Sequence, residues 1–388
     1  ACSDLDSAIE TLRAQQLAKV PQFEVSQLAG ALSNRGTVLM ELVRYADSLA
    51  DFDSAVKLLQ SMPDCEEYAF QLAATRANRA MCLREAGQMR KAIEDCTAAI
   101  EIHRQQFDEV YQKLNPELAS ALINRGNVYK DLRMEDLAIQ DYDESITIQS
   151  TLVNIAQSQF RGPLALSRVM RSFALQNQGL HEAAIRGFDE ALEALGDLVR
   201  AGKNHFKPTL ALSQMLRALS LSATGKPGEA LEACETAVAI LQEHVQAGRR
   251  DLFGSHAHSM LIHALILYRH NSQDEGRIRW QQGITRTKEL IEQGETDLRM
   301  IVVRYSVEMI LSIDEDDGFA ASLLDTALEV AELVFRSAHR LEGLEAETHH
   351  AIDRLRFESP PQLRKADWER IEALDTWLAK RPIEMGAK

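Results

Sequence analysis

The chain has 388 residues, 45% hydrophobic and 26% charged, a composition that leaves room for two or three globular domains or for one elongated repeat array. Its formal net charge of -15 repels phosphate backbones and anionic lipid, so nucleic acid is not expected as the main partner. Five scattered cysteines (Cys2, Cys65, Cys82, Cys96 and Cys234) without a CxxC predict reduced thiols in a cytoplasmic setting and exclude a disulfide framework, and no run of about 18 or more apolar residues predicts a membrane span.

Leu and Ala are abundant while Gly, Pro and aromatic residues are sparse, which favours helix throughout. The first predicted helix, LDSAIETL (5–12), matches FDSAVKLL (52–59), so residues 1–27 read as half a repeat, either a cap on an array or part of a longer protein. A series of helix pairs follows. The first helix of each pair, helix A, is read in LSNRGTVLMEL (32–42), RANRAMCLREAG (76–87), LINRGNVYKDL (122–132), SRVMRSFALQNQG (167–179) and QMLRALSLSATG (214–225). These segments align on Arg35, Arg79, Arg125, Arg171 and Arg217, which lie 44, 46, 46 and 46 residues apart. The residue after the Arg is always small: Gly36, Ala80, Gly126, Ser172 and Ala218. Eight residues after it, three repeats carry a turn glycine: Gly87, Gly179 and Gly225.

The second helix of each pair, helix B, carries three more columns. Thirteen residues after the Arg come Ser48, Ala92, Ala138, Ala184 and Ala230; seventeen after it Phe52, Cys96, Tyr142, Phe188 and Cys234; twenty after it Ala55, Ala99, Ser145, Ala191 and Ala237. Steps of four and three place these columns on one helix face. Small residues let the two helices approach closely and the larger ones fill the gap. Neither helix can bury its face alone, so neighbouring hairpins must stack into a continuous core. Helix B runs on past this face, as in ITIQSTLVNIAQSQF (146–160), with breaks expected at Pro116, Gly162-Pro163, Pro208 and Gly254.

A sixth pair, HAHSMLIHALILYRHNSQDEGRIRWQQGI (256–284), puts His263 in place of the Arg and Gly276 in place of the small residue of helix B. A seventh, VRYSVEMILSIDEDDGFAASLLDTALEVAELVF (303–335), has an altered turn, DEDDG (314–318), too short for a calcium loop. Residues 341–388 leave the register, and after Pro360-Pro361 they end in ADWERIEALDTWLAK (366–380), where Trp368, Ile371, Leu374 and Leu378 share a face suited to a cap.

The segment NRGNVYKDLRMEDLAIQDYDESI (124–146), with Gly126, Tyr129, Ala138, Tyr142 and Ser145 at the family's spacings, resembles a tetratricopeptide repeat. The resemblance covers roughly residues 28–293 and extends weakly to 340. Each hairpin exceeds the family's usual repeat by about twelve residues and is similar to the extended repeats of kinesin light chains. The resemblance implies an all-α, right-handed superhelical solenoid of about seven hairpins over residues 28–340, with terminal cap helices at 1–27 and 341–388. It also implies a scaffold or adaptor that binds a peptide or protein segment in the concave groove lined by helices A. The alternative is a regulatory sensor that takes a small signal peptide or ligand and controls a partner or an attached domain. Neither reading calls for catalysis, a cofactor or a metal, and both leave the oligomeric state open.

Sixteen residues after the Arg, three repeats place an acid: Asp51, Asp95 and Asp141. Antiparallel helices bring these positions face to face, so Arg35–Asp51, Arg79–Asp95 and Arg125–Asp141 are expected to clip each hairpin shut. In the fourth and fifth repeats Gly187 and Ala233 stand there instead. Arg171 and Arg217 then either turn to Asp189 or Glu235 or stay free to meet an acidic ligand. Asn34, Asn78 and Asn124 precede the first three arginines. A carboxamide both donates and accepts, so it can bridge a peptide backbone without reading its sequence, although it is equally a tolerated residue on a solvated face. In the resembled family such asparagines line the groove, and Asn127, Lys130 and Arg84 are expected to face it too. Ala74 and Ser120 occupy positions where a two-carrier carboxylate clamp would need lysine. His256, His258, His263 and His270, and separately His349-His350 after Glu345 and Glu347, lack metal-ligand spacing and read as core or surface residues. Cys82 and Cys96 read as core packing. No Gly-rich phosphate loop and no GxSxG motif occurs.

Overall fold

The computed structural model describes residues 22–62, 66–106, 114–155, 158–270, 272–292, 298–311, 319–337, 352–358 and 365–380, with a few isolated positions besides. Among the described residues the protein is all-α. Helix A and helix B alternate as α1 (Gln22–Glu41) and α2 (Tyr45–Gln60), α3 (Glu66–Glu85) and α4 (Met89–Gln106), α5 (Pro116–Asp131) and α6 (Glu135–Asn154), α7 (Arg161–Asn177) and α8 (His181–Arg200). They continue as α9 (Lys207–Ala223) and α10 (Pro227–Gln246), α11 (Phe253–Arg269) and α12 (Gln273–Glu292), α13 (Leu298–Ile310) and α14 (Phe319–Ser337). Residues 352–358 form a further helical turn, and α15 (Lys365–Lys380) packs on α14.

The repeat columns are buried as their spacing predicts. All fifteen residues of the three helix B columns are at most 1% exposed. A further column lies six residues before the Arg on helix A: Ala29, Ala73, Ala119, Ala165, Ala211 and Ala257, each 0% exposed. Hydroxyls tie helix B to helix A in the first and third hairpins. Ser48 Oγ donates to the Gly36 carbonyl at 2.7 Å, and Ser145 Oγ donates to the Ala119 carbonyl at 3.0 Å. The residue after the Arg and the residue seventeen after it are matched in size in four of the five hairpins, the fourth pairing Ser172 with Phe188. A Cβ added at Gly126 would lie 2.8 Å from the Tyr142 ring, and one at Gly36 would lie 3.0 Å from Phe52. Where the small residue is Ala80 or Ala218, the partner position holds Cys96 or Cys234.

The turn between helix A and helix B is the same in five hairpins. The residue eight after the Arg is left-handed in each: Val43, Gly87, Arg133, Gly179 and Gly225, with φ between 60° and 76°. Its N–H and the next one close back onto the end of helix A, as Gly87 N to Arg84 O at 3.0 Å and Gln88 N to Leu83 O at 2.8 Å. The turn is thus conserved in geometry even where Val43 and Arg133 replace glycine.

The expected breaks fall elsewhere than the sequence placed them. Pro116 and Pro208 sit in the first turns of α5 and α9, Gly162-Pro163 in the first turn of α7, and Gly254 in that of α11. They start the next helix A, because proline at the first positions loses no helix hydrogen bond. In the fourth and fifth repeats helix B instead stops at left-handed Gly202 and Gly248. The altered turn DEDDG lies outside the described residues.

The chain divides into two compact units, Ala1–Ala174 and Leu175–Lys388, with the division inside α7. In the first unit, small clusters such as Ala73, Ala99, Leu118, Leu122 and Ile148 fill the space between successive hairpins. In the second, one cluster runs from Ile185 to Ile371 and includes Ile352, Leu355 and Leu363, so the C-terminal segments share the core of the last hairpins.

Candidate functional site

The arginine column decides which charges remain available. Arg35, Arg79 and Arg125 each grip a carboxylate of their own hairpin with two nitrogens. Arg35 donates through Nε and Nη2 to the two oxygens of Asp51, both at 2.6 Å. Arg79 donates likewise to Asp95 at 2.6 and 2.7 Å, and Arg125 to Asp141 at 2.9 and 2.7 Å. Such forked pairs are the strong form of the interaction. The carboxylates are nearly buried, and burial pushes the Asp141 carboxyl up against the opposing pull of Arg125. Arg125 is itself raised, first by its hydrogen bond to Asp141.

The remaining nitrogen of each guanidinium reaches back to the preceding helix B. Arg35 Nη1 donates to Asp6 at 2.8 Å, Arg79 Nη1 to Asp53 at 2.7 Å, and Arg125 Nη1 to the Thr97 hydroxyl at 3.2 Å. The same backward arm holds the two arginines whose clip residue is missing. Arg171 Nε bonds Asp143, and Arg217 Nε bonds Asp189 at 2.6 Å with Glu229 at 3.8 Å from Nη2. Of the two alternatives left open for these arginines, the structure shows the carboxylate partner, but it is Asp143 that serves Arg171 while Asp189 serves Arg217. Asp53, Thr97, Asp143 and Asp189 all lie two residues past the clip position. Two residues turn a helix by about 200°, so this column faces the next hairpin and not its own.

Opposite the clip, helices A expose a second stripe. Positions five before, one before and two after the Arg lie roughly 200–260° round the helix from it. On α1 these are Gly30, Asn34 and Thr37; on α3, Ala74, Asn78 and Met81; on α5, Ser120, Asn124 and Asn127; on α7, Leu166, Met170 and Phe173. Asn34 is exposed, and Asn78 and Asn124 are partly exposed. None of these three carboxamides has a side-chain partner among the described residues. Asn127 differs: its Oδ1 accepts from the buried Tyr142 hydroxyl at 2.8 Å. Met81 and Leu166 are 40% and 37% exposed.

The two cations expected on this face are already engaged. Arg84 Nε donates to Asp131 at 2.6 Å, with Glu85 at 3.4 Å from Nη1, while Lys130 pairs with Asp131 at 2.9 Å and lies 5.6 Å from the centre of the Phe173 ring. Burial opposes the Asp131 charge, but Lys130 and Arg84 outweigh it and hold the carboxyl below the usual range. Arg84, Lys130 and Asp131 thus form a closed chain from α3 across α5.

In the second unit the equivalent stripe is partly to fully buried, with Leu212 and Leu219 of α9 and His258 of α11 partly buried. Leu216 is 4% exposed on α9, and Ile262 and Leu265 are fully buried on α11, where His258 Nε2 meets the Tyr305 hydroxyl at 3.1 Å. His263, at the arginine position, is 6% exposed, and neither ring nitrogen has a partner among the described residues. Burial and Arg279 lower its basicity, partly offset by Glu235 and Glu275. His270 meets the Ser222 hydroxyl at 2.9 Å, and His256 is half-buried. Among the described residues no group of three or more His, Cys, Asp or Glu is placed to hold a metal; His349 and His350 lie outside them. Cys82, Cys96 and Cys234 are buried thiols, and burial pushes Cys96 up to about 12, which removes it from thiolate chemistry; Cys2 and Cys65 lie outside the described residues. No described helix is long and apolar enough to cross a membrane.

Residues 119–151 match the tetratricopeptide repeat family. No curated protein matches the chain in sequence. Among solved structures, the quorum sensor NprR from B. thuringiensis in its apo form shares the fold at a TM-score of 0.56 and 13% identity, covering 97% of both chains. A Rap protein complexed with competence and sporulation factor gives 0.53 and 15%, over 98% of this chain and 99% of that one. Aspartyl phosphate phosphatase F from Bacillus subtilis gives 0.58 and 15%, over 86% of this chain and 80% of that one.

Proposed function

We propose that this tetratricopeptide-repeat protein works by binding, holding an extended segment of another protein across the stripe that α1, α3 and α5 expose. The observation that carries this reading is the ladder of Asn34, Asn78 and Asn124, three carboxamides at one register position with no side-chain partner among the described residues. A peptide backbone offers a donor and an acceptor at each residue, which is what a carboxamide complements. Helix α1 touches α3, and α3 touches α5, directly. Packed helices lie about 8–10 Å apart and an extended chain advances about 3.3 Å per residue, so one asparagine would meet every third peptide residue.

The reading is of a scaffold and not of an enzyme. The open stripe offers amides and apolar side chains, while the charged groups beside it are spent on one another. Likeness to a phosphatase at this level of identity is likeness of fold, and function resides in sites grafted on folds. The net charge of -15 argues against a nucleic-acid partner. A cytoplasmic partner fits the thiol-bearing composition.

The test is capture of partners from native lysate on wild type and on Asn78→Ala/Asn124→Ala. The double variant should lose the partners that wild type retains, with an unchanged circular dichroism spectrum. Equal recovery of the same partners would place binding elsewhere. A second reading, a sensor that changes shape on taking a small peptide, draws on the division into two compact units and on relatives described as a quorum sensor and as a complex with a signalling factor. Small-angle scattering separates the two: a scaffold keeps its radius on binding and a sensor does not.

A further inference from the structure

The open stripe of the first unit changes character along its length. One position before the Arg it reads Asn34, Asn78, Asn124 and then Met170; two after it, Thr37, Met81, Asn127 and then Phe173; five before it, Gly30, Ala74, Ser120 and then Leu166. Three helices that present mostly small or amide groups therefore lead to one, α7, whose outward face is Leu166, Met170 and Phe173. These three are spaced by four and three residues, so they form a single continuous face. Leu166 is 37% exposed, while Met170 and Phe173 are partly buried, Met170 packed against the cluster of Ala138, Tyr142 and Ala174 and Phe173 under Lys130 of α5.

The charges bordering this face cancel within the protein. Arg84 and Lys130 share Asp131, Arg84 also meets Glu85, Arg125 is held by Asp141, and Arg171 is held by Asp143. An acidic ligand would have to compete with Asp131 for cations that already hold it. A basic ligand would meet Arg84 and Lys130 before any free carboxylate. The occupant that fits without breaking these pairs is uncharged where it crosses α5 and α7. An apolar side chain laid on Leu166 and Met170 would remove exposed apolar surface from water at both partners.

The geometry points to an uncharged, extended peptide segment as the ligand, its backbone held by Asn34, Asn78 and Asn124 and one end anchored by an apolar side chain on the α7 face of Leu166, Met170 and Phe173. This rests on the binding stripe proposed above and adds the chemistry and the polarity of its occupant. The anchor gives the segment a direction, which backbone contacts alone do not. With one asparagine for about every three residues, a segment of about ten residues spans the stripe.

The test selects from phage-displayed random decapeptides on the immobilised full chain. Wild type is compared with Leu166→Lys, with the milder Met170→Gln, and with Asn78→Ala/Asn124→Ala, each checked for an unchanged melting profile. Peptides selected by wild type should share an apolar residue near one end and lack charge through the middle. A fluorescein-labelled selected peptide should bind Leu166→Lys about tenfold or more weakly, with a smaller loss for Met170→Gln. Selected peptides that are charged or show no end preference, or that bind both α7 variants as tightly as wild type, overturn the anchor while leaving the asparagine stripe standing. Undiminished binding by Asn78→Ala/Asn124→Ala overturns the stripe itself.

Discussion

At the scale of single residues, the arginine column performs two jobs of very different energy. Replacing Asp95 by Asn removes the nearly buried carboxylate shared by Arg76 and Arg79 and leaves Arg79 only the exposed Asp53. Breaking such a pair costs about 3 kcal/mol, whereas an exposed pair contributes below about 1 kcal/mol. Denaturant melts should therefore show a large loss for Asp95→Asn and a small one for Asp189→Asn, whose carboxylate is half exposed against Arg217. Equal losses would mean that the backward arm, and not the clip, holds the array. Size matching within the hairpin gives a second prediction. Gly126→Ala gains roughly 1 kcal/mol of helix propensity but drives its methyl into Tyr142, which is fully buried and tied by its hydroxyl to Asn127. Overpacking of that kind costs about 1–3 kcal/mol, so the net effect should be destabilising. Adding Tyr142→Cys, which reproduces the natural Ala80/Cys96 combination, should recover part of the loss in a double-mutant cycle.

At the scale of the element, the turn after helix A is fixed more tightly than its sequence suggests. Val43 adopts φ 61° at a position where three sister repeats use glycine, and its side chain is 68% exposed. A left-handed conformation costs a residue with a Cβ about 1–2 kcal/mol. Val43→Gly should therefore raise the stability of the first hairpin by about 1 kcal/mol, read as slower amide exchange in α1 and α2. On α11 the prediction concerns pH. His263 is buried with Glu235 of α10 and with Glu275 and Arg279 of α12 around it, and its pKa is lowered by burial. The unfolded state, with an ordinary value of about 6.5, then binds protons that the folded state refuses. Its contribution is fully present above that value and is lost as pH falls through the lower, folded one. His263→Leu should flatten the fall in melting temperature between pH 7 and pH 5. A slope as steep as that of wild type would assign the acid sensitivity to other groups, such as His103, His181 or His256, whose basicity is also lowered by burial.

At the scale of the whole molecule, a hairpin register held for five repeats was enough to read the architecture. The columns of helix B and the Arg–Asp clip recur at fixed offsets, and offsets translate directly into helix faces. The alanine column six residues before the Arg was equally legible, but what buries it needs the antiparallel partner in place. The backward arm was not legible. Asp189 stands at a plausible distance in sequence from Arg171, and only the twist of the next hairpin shows that it serves Arg217. The helix starts at Pro116 and Pro208 were mistaken for breaks because proline marks both the end of one element and the beginning of the next. For the candidate site, the asparagine ladder was visible as a column. Its exposure was not, since the same face is buried on α11 by packing that no local pattern encodes. Nor was the engagement of Arg84 and Lys130, which depends on Asp131 lying within reach of both.

The central question is whether ligand lies on the stripe of helices A in the first unit. Site-specific photo-crosslinking tests this most directly, with p-benzoylphenylalanine placed in turn at Asn78, at Asn124 and at Thr147, an exposed residue of α6 in the same hairpin as Asn124. Irradiation with a bound partner or selected peptide should give covalent adducts from positions 78 and 124 and none from 147. Adducts from 147 alone would put the ligand on helices B and contradict the account.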